Sequence, residues 1–272
     1  MKLTFTTIWQ RLRRPGRLLK YSLLLLAALV LAILVLTSWV FYDLPDVTPL
    51  KIRSTTLTIE VPDWQGAMHP LLVGPNNPHW TPLESIPVEL KWAVIVAEDA
   101  NFYEHGGIDV TALKEAIKYD LKRKRLAHGA STITQQLAKN LFLSRDKSVR
   151  RKLRELVIAQ RLESELTKGR ILELYLNVVE LGPLVYGVGH GSRYHFDKPV
   201  AMLSPAEAAF LVAMLPGPRI AFNPETKAAK VRQRAARLLR LLGLRHVLTE
   251  TEIADALVQL AGLGGRRTAH DD

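Results

Sequence analysis

The chain begins with a long apolar run, continues with a short alternating segment, and then repeats apolar residues at helical spacing. No charged residue occurs from Tyr21 to Tyr42. A helix of that length spans about 30 Å, the thickness of a bilayer's hydrocarbon core. From Leu57 to Val61 apolar and polar residues alternate, which predicts a short, half-buried strand. Prolines, glycines and asparagines crowd residues 70–82 and predict a loop.

Beyond residue 82, apolar residues recur three and four positions apart, so this part of the chain is predicted to be mainly α-helical. The first helix opens near Ser85 and Pro87 and places Glu98 at or near its end. The last two helices are predicted over residues 224–242 and 249–260. Residues that favour helix starts precede the other apolar repeats and the last one: Asp109, Ser148, Thr167, Ser204 and Thr249.

The flanks of the apolar run indicate a membrane anchor. The residues before it include lysines and arginines but no acid, and Trp39, Phe41 and Tyr42 stand at its far end, as in an aromatic belt. A basic flank stays in the cytoplasm, so the residues after Asp43 are expected on the outer side. A cleaved signal peptide is the alternative, but the run is longer than a usual signal core and no small-x-small site closes it.

The cysteine content and net charge of the chain limit the chemistry and the binding partners to be expected. The chain has no cysteine, which excludes disulfides and thiolate chemistry. Its formal net charge of +11 would attract an outward-facing domain to anionic lipid headgroups and diphosphates. Nucleic acid would be the usual partner for this charge in a cytosolic protein, but the anchor places the domain on the other side of the membrane.

Two neighbouring carboxylates are the first candidates for chemistry. Glu98 ends an apolar helix and Asp99 follows it. Partial burial and a neighbouring like charge both raise the pKa of a carboxyl group toward the range in which it acts as a base. The alternative is that the pair caps the helix or belongs to a solvated surface.

Polar and charged side chains stand out in four further segments. Between Gly129 and Asn140 such side chains predict a loop that binds sugar hydroxyls or phosphate oxygens. The alternative is a helix cap rich in serine and threonine. Arg151 and Glu155 share a helix face, either as a surface ion pair or as part of a receptor for a diphosphate. Glu173 is predicted to brace the fold, and the basic residues in 227–240 are predicted to lie on a solvated helix face.

Four ordered segments resemble the motifs of the peptidoglycan glycosyltransferases, the family that includes the glycosyltransferase modules of penicillin-binding proteins and free-standing monofunctional enzymes. The family's first three motifs read Glu-Asp-x-x-Phe-x-x-His-x-Gly, Gly-x-Ser-Thr-x-Thr-x-Gln followed by a lysine, and Arg-Lys-x-x-Glu. The matching residues, with those of the fourth motif last, are Glu98, Asp99, Phe102, His105 and Gly107; Gly129, Ser131, Thr132, Thr134, Gln136 and Lys139; Arg151, Lys152 and Glu155; and Lys168, Ile171, Leu172, Glu173, Tyr175, Leu176 and Asn177.

The resemblance implies a lysozyme-like glycosyltransferase domain that joins lipid II units into glycan strands in cell-wall biosynthesis, by inverting transfer from a polyprenyl diphosphate donor to the 4-hydroxyl of the acceptor sugar. Glu98 would be the catalytic base. Glu155 would be the second catalytic residue, stabilising the departing diphosphate together with a divalent cation, Mg²⁺; no organic cofactor is implied. The residues implied to bind substrate are Asp99, Phe102, His105, Ser131, Thr132, Gln135, Gln136, Lys139, Asn140, Arg151 and Lys152.

The implied setting is the outer face of the cytoplasmic (inner) membrane, with the N-terminus inside and the catalytic domain periplasmic or extracellular. The implied partners are lipid II, the growing glycan strand, the membrane through a single span, and other cell-wall synthases. The predicted parts are 1–20 (cytoplasmic basic segment), 21–42 (transmembrane helix), 43–82 (linker with a short strand), 83–245 (glycosyltransferase domain) and 246–272 (C-terminal helix and tail).

One position departs from the family pattern and three other functions compete. The family's later segment usually reads Tyr-Gly-Val-Glu, whereas Gly189 takes the place of the glutamate here, which puts local packing and contacts with the product strand in question. A membrane-anchored scaffold for wall synthases is one alternative. A lysozyme-like lytic enzyme is another, although cleavage gives no reason for an anchor or a cationic cluster. A transpeptidase is suggested only by residues 144–147, without a Lys-Thr-Gly partner motif.

Overall fold

A computed structural model of the chain describes residues 15–63, 65–123, 131–144, 146 and 148–264. Gly129, the first residue of the second motif, lies outside these residues. The chain divides into two compact units, Met1–Leu44 and Pro45–Asp272. Residues 45–82, predicted as a linker, therefore fall in the same unit as the helices that follow them.

The first unit contains helix α1, Pro15–Phe41. Within it, Leu18–Phe41 has a mean hydropathy of 2.8, and among the described residues this is the one helix that is long and apolar enough to cross a membrane. The apolar side chains from Leu18 to Trp39 are exposed, for example Leu25 (72% exposed), whereas Val40 is buried. A helix with apolar residues on every side is compatible with a membrane anchor.

The second unit opens with an antiparallel strand pair. Strand β1 (Leu57–Pro62) lies beside β2 (Met68–Val73), with Leu57 opposite Val73 and Pro62 opposite Met68. The alternating strand is confirmed, but the loop predicted from residue 70 is wrong for residues 70–73. Pro70 is tolerated there because both strands of a two-stranded sheet are edge strands, where a missing N–H need not break a ladder.

The rest of the unit is mainly helical, which confirms the predicted fold class. The elements are α2 (Val88–Glu98), α3 (Val110–Arg123), α4 (Ile133–Phe142), α5 (Val149–Glu165), α6 (Lys168–Val178), β3 (Glu180–Gly182), β4 (Val185–Tyr186), α7 (Val188–Phe196), α8 (Pro205–Ala213), α9 (Ala228–Leu244) and α10 (Glu250–Leu260), with 3-10 turns at Thr48–Lys51, Leu83–Ser85 and Val200–Met202. The small strands β3 and β4 pair antiparallel.

Side-chain caps set most of the helix starts, as the sequence predicted. Ser148 and Thr167 each accept a backbone N–H from the first turn of the helix that they precede. Ser204 does the same within a capping box completed by Glu207, and Thr249 forms a second capping box. Helix α9 begins at Ala228, a turn later than predicted.

Two groups of packed helices carry the charged residues of the motifs. Helix α8 is buried from Ala206 to Ala213 and packs against α2, α9 and α10. Helix α4 packs against α5 and α6. The C-terminal end of α2 and one face of α4 meet through their side chains, and the candidate site is built around that meeting.

Candidate active site

Glu98 is the last residue of α2, and its side chain is 15% exposed. Its Oε2 accepts a hydrogen bond from Gln136 Nε2 at 3.0 Å, and its Oε1 lies 3.3 Å from Arg234 Nη2. Tyr175 donates its hydroxyl to Gln136 Oε1 at 3.0 Å. Because that bond occupies the amide oxygen, the amide NH₂ of Gln136 is the group that faces Glu98.

Burial raises the pKa of Glu98, and the negative charge of Asp99 raises it further. The hydrogen bond from Gln136 and the positive charges of Arg234 and Lys139 act in the opposite direction, but burial prevails. The sequence had predicted both causes of the increase. A carboxylate that is desolvated yet still hydrogen-bonded is suited to accept a proton.

Asp99 fastens the start of α4 to the end of α2. Its Oδ2 accepts the backbone N–H of Ile133 at 2.9 Å, and its Oδ1 lies 2.8 Å from His105 Nε2. His105 Nδ1 in turn accepts the N–H of Gly107 at 3.2 Å. These bonds fix Gln136, one turn into α4, relative to Glu98.

Gly107 is a point of close approach. Its φ is +87°, and a Cβ there would lie 3.1 Å from Glu163 Cγ and 3.3 Å from the carbonyl oxygen of Ala159. Its own carbonyl accepts hydrogen bonds from Thr132 Oγ1 at 2.7 Å and Gln135 Nε2 at 3.1 Å. A side chain at this position would be strained and would press on α5.

Glu155 holds two cations from its own helix. Its side chain is 4% exposed; Arg151 Nη1 donates to Oε2 at 2.8 Å, and Lys152 Nζ donates to Oε1. Lys152 also donates to Ser131 Oγ at 3.1 Å and to Gln135 Oε1 at 3.2 Å, while its side chain remains 43% exposed. Arg151 Nε is a buried donor without an acceptor among the described residues.

Neighbouring glutamines on α4 face the two carboxylates. Gln136 reaches Glu98, and Gln135 reaches the lysine bonded to Glu155. Successive helical residues point about 100° apart, so one helix can carry both contacts. Helix α4 therefore lies between Glu98 and the Lys152–Glu155 pair and sets the distance between them.

The prediction of a gripping loop between residues 129 and 140 is wrong for residues 133–140. Those residues are helical because the Thr132 hydroxyl caps α4 by accepting the N–H of Gln135, which was the alternative left open. Lys139 is exposed on this helix and Asn140 is half-buried. Their polar groups are therefore presented at fixed helical spacing.

Several residues predicted to bind substrate expose little or none of their surface. Phe102 is fully buried, Asp99 is 7% exposed and Thr132 is 2% exposed. Gln135 is 3% exposed. Asp99, Thr132 and Gln135 make hydrogen bonds to other parts of the site, whereas Lys152 and Lys139 keep exposed surface.

The sequence did not single out Glu163, which links three motifs. Its Oε1 accepts from Thr134 Oγ1 and from Lys168 Nζ, and Lys168 also donates to the carbonyl of His105 at 2.6 Å. The Lys168 ammonium lies 4.5 Å from the centroid of the Phe102 ring. A glutamate two residues before the end of a helix carries no sequence signal for such a role, because its partners come from other elements of the fold.

Helix α6 braces the segment before α2. Glu173 accepts from Arg170 Nη1 at 2.6 Å and from the backbone N–H of Leu83 at 3.1 Å. Asn177 exchanges two hydrogen bonds of 2.8 Å with the backbone of Thr81. The structural role predicted for Glu173 is therefore confirmed.

Gly189 lies in close contact with the backbone of residues 79–81. A Cβ at this position would lie 2.3 Å from the carbonyl oxygen of His79 and 2.5 Å from Thr81 Oγ1. The rings of His79 and His190 stack with centroids 4.3 Å apart. The space that a side chain would need is filled by residues 79–81, so the glycine fits the packing of this chain.

One group of side chains among the described residues has the spacing of metal ligands. The donor atoms of Asp99, His105 and Asp109 lie within 4.8 Å of one another, but the carboxylate oxygens of both aspartates accept hydrogen bonds within the protein. Both oxygens of Glu155 accept from cations. Hard cations need free oxygen ligands, so these side chains do not fit a resident metal and we assign none to them.

Comparison with known proteins identifies the family. The chain is 50% identical over 140 residues to a protein from Thiobacillus denitrificans named biosynthetic peptidoglycan transglycosylase, an alignment that covers 52% of this chain and 60% of that protein. It is 45% identical over 174 residues to a protein of the same name from Mannheimia succiniciproducens, covering 63% and 70%. The chain therefore spans less than two thirds of the Thiobacillus protein and somewhat more of the other.

A solved structure of penicillin-binding protein 1A from Haemophilus influenzae aligns with 75% of this chain and 21% of its own, at 18% identity and a TM-score of 0.39, too low to carry an argument. The Transglycosylase family model matches residues 67–242, which include the residues of all four motifs. Since that match covers more than half of the chain, the chain belongs to the Transglycosylase family.

Proposed function

We propose that this protein is a membrane-anchored peptidoglycan glycosyltransferase that polymerises lipid II into glycan strands. The observation that carries the proposal is Glu98, a desolvated carboxylate held by Gln136 and Arg234 in a chain of the Transglycosylase family. The names of the two relatives described above support the same activity.

In the proposed reaction Glu98 is the general base. It takes the proton from the 4-hydroxyl of the acceptor sugar as that oxygen bonds to the anomeric carbon of the donor. The bond from that carbon to the diphosphate breaks on the opposite face, so the configuration inverts. The raised pKa of Glu98 supports this role, because a base works best when its pKa approaches the working pH.

The departing diphosphate needs positive charge, and the cluster around Glu155 supplies it. Arg151 and Lys152 are both bonded to Glu155, which sets their directions and leaves the lysine partly exposed. A guanidinium and an ammonium can both donate to phosphate oxygens. We assign Glu155 a positioning role, with Lys139 as a third cation near the base.

The other predicted binding residues support these two centres. Ser131 and Gln135 hold Lys152, and Gln136 holds Glu98. Asn140 stands next to Lys139 on α4 and is proposed to contact sugar or phosphate from the helix surface. Asp99, bonded to His105, ties the start of α4 to the end of α2. Thr132 caps α4, and Phe102 lies buried beside the Lys168 ammonium.

The cation remains a prediction about the substrate complex. Mg²⁺ commonly binds through phosphate oxygens and water with few protein ligands, so it would accompany the diphosphate. Both carboxylate oxygens of Glu155 accept hydrogen bonds from cations of the protein, so the proposed reaction uses the charges of Arg151 and Lys152.

We further propose that the helix Leu18–Phe41 anchors the protein in the cytoplasmic membrane with the second unit outside. The membrane, lipid II and the growing strand would be its partners, and other wall synthases would bind beside it; no nucleic acid is involved. The scaffold and lytic alternatives predict no strand synthesis, and the lytic one predicts shorter strands.

The test is polymerisation of labelled lipid II by the detergent-solubilised full-length protein, with products sized on a gel. The wild type should give a ladder of glycan strands that is lost in Glu98→Gln, an isosteric change that removes the base. Folding of both proteins should be checked by circular dichroism. A folded wild type that gives no ladder would refute the proposed activity and favour the scaffold.

A further inference from the structure

Helix α9 and the residue that follows it reach the C-terminal end of α2, where Glu98 lies. Arg234 Nη2 lies 3.3 Å from Glu98 Oε1, and Arg245, just after α9, donates to the carbonyl of Ala100 at 3.2 Å. The sequence had predicted the basic residues in 227–240 to lie on a solvated face. That prediction is wrong for Arg234, whose side chain is only 29% exposed, because α9 packs against α2.

We propose that Arg234 is a positioning residue for the general base: it holds one oxygen of Glu98 from α9 while Gln136 holds the other from α4. This role rests on the proposed function of Glu98. Two donors from two different helices restrict the rotation of the carboxylate. The carboxylate is thereby fixed before the acceptor sugar arrives, as efficient proton transfer requires.

The charge of Arg234 also opposes the cost of burying a carboxylate. The charged side chains that act on Glu98 are Arg234 and Lys139, which lower its pKa, and Asp99, which raises it. Tyr175 is a neutral neighbour whose own pKa is raised by burial and by the charges of Glu98 and Asp99. Removing Arg234 should therefore raise the pKa of Glu98 further.

A purely structural role explains Arg234 less well. Its guanidinium lies 5.7 Å from the centroid of the Phe222 ring, which is a packing contact. Its Nε, however, is a buried donor without an acceptor among the described residues. Buried donors without a partner are uncommon in folded proteins, and functional sites are among the places where they occur.

The experiment compares Arg234→Gln and Arg234→Lys with Arg237→Gln in the full-length protein. Arg237 is an exposed arginine one turn further along α9, so its loss changes the net charge equally without touching Glu98. Arg234→Gln should lower the rate of strand synthesis by roughly tenfold to a hundredfold and shift the acidic limb of the pH–rate profile to higher pH. Arg234→Lys should restore part of both, and Arg237→Gln should match the wild type.

A second measurement does not depend on activity. Titration of ¹³C-labelled glutamate carboxyls by NMR, with Glu98→Gln to assign the signal, should show a higher pKa for Glu98 in Arg234→Gln than in the wild type. An active enzyme in which neither the Glu98 titration nor the acidic limb moves would overturn the role of Arg234. A wild type that fails to polymerise would instead overturn the proposed function, whatever the titration shows.

Discussion

Gly189 gives the sharpest test of the packing, because its substitution by alanine adds a single carbon. That Cβ would lie 2.3 Å from the His79 carbonyl oxygen and 2.5 Å from Thr81 Oγ1. The His79 oxygen belongs to the backbone and cannot rotate away, so residues 79–81 would have to move. Overpacking of this kind costs about 1–3 kcal/mol. For a domain of roughly 150–250 residues each kcal/mol lowers Tm by about 2–4 °C.

The chain contains a matched control. Gly169 is the second residue of α6, as Gly189 is the second residue of α7. A Cβ at Gly169 would meet only Leu83 Cδ2, at 3.5 Å, which is an ordinary contact. Gly169→Ala should therefore leave stability unchanged or raise it by up to about 1 kcal/mol through the helix preference of alanine.

The assay is thermal unfolding followed by circular dichroism in detergent, with both alanine variants and Gly189→Glu beside the wild type. Gly189→Ala should unfold at a lower temperature than the wild type, and Gly189→Glu, which installs the residue usual in the family, should be lower still. A Gly189→Ala variant with the same unfolding temperature as Gly169→Ala, at or above that of the wild type, would show that residues 79–81 do not lie against Gly189.

Three further predictions concern the proposed chemistry. Glu98→Gln should lower lipid II polymerisation by about 10²–10⁴-fold. The wild-type rate should rise as the pH passes through the raised pKa of Glu98, because the ionised carboxylate is the base. A rate that does not change with pH would contradict this role. Lys152→Gln should reduce the rate of polymerisation but lower Tm by no more than about 2–4 °C, because the lysine is partly exposed. Glu155→Gln should lower both the rate and Tm. EDTA should reduce polymerisation, reversibly with Mg²⁺, and leave Tm unchanged, because the carboxylates near the cluster are engaged within the protein.

Local signals in the sequence accounted for most helix starts and for the motif residues. Ser204 and Glu207 form the capping box that their spacing predicts, since both partners lie within one turn. The end of α2 at Glu98 followed from apolar spacing in the same way. Local patterns failed where one segment was compatible with two structures. The serine and threonine before Ile133 are compatible with a binding loop and with a helix cap, and the structure has the cap.

The sequence by itself determined the apolar helix, the mainly helical domain and the presence of Glu98 and Glu155 in family motifs, because each depends on neighbours along the chain. The tertiary structure alone decided that Arg234 lies on Glu98, 136 positions away in sequence, that Glu163 links Thr134 to Lys168, and that Gly189 must remain small. These are contacts between elements that approach only after packing, and no periodicity or spacing in the chain records which side chains will then meet.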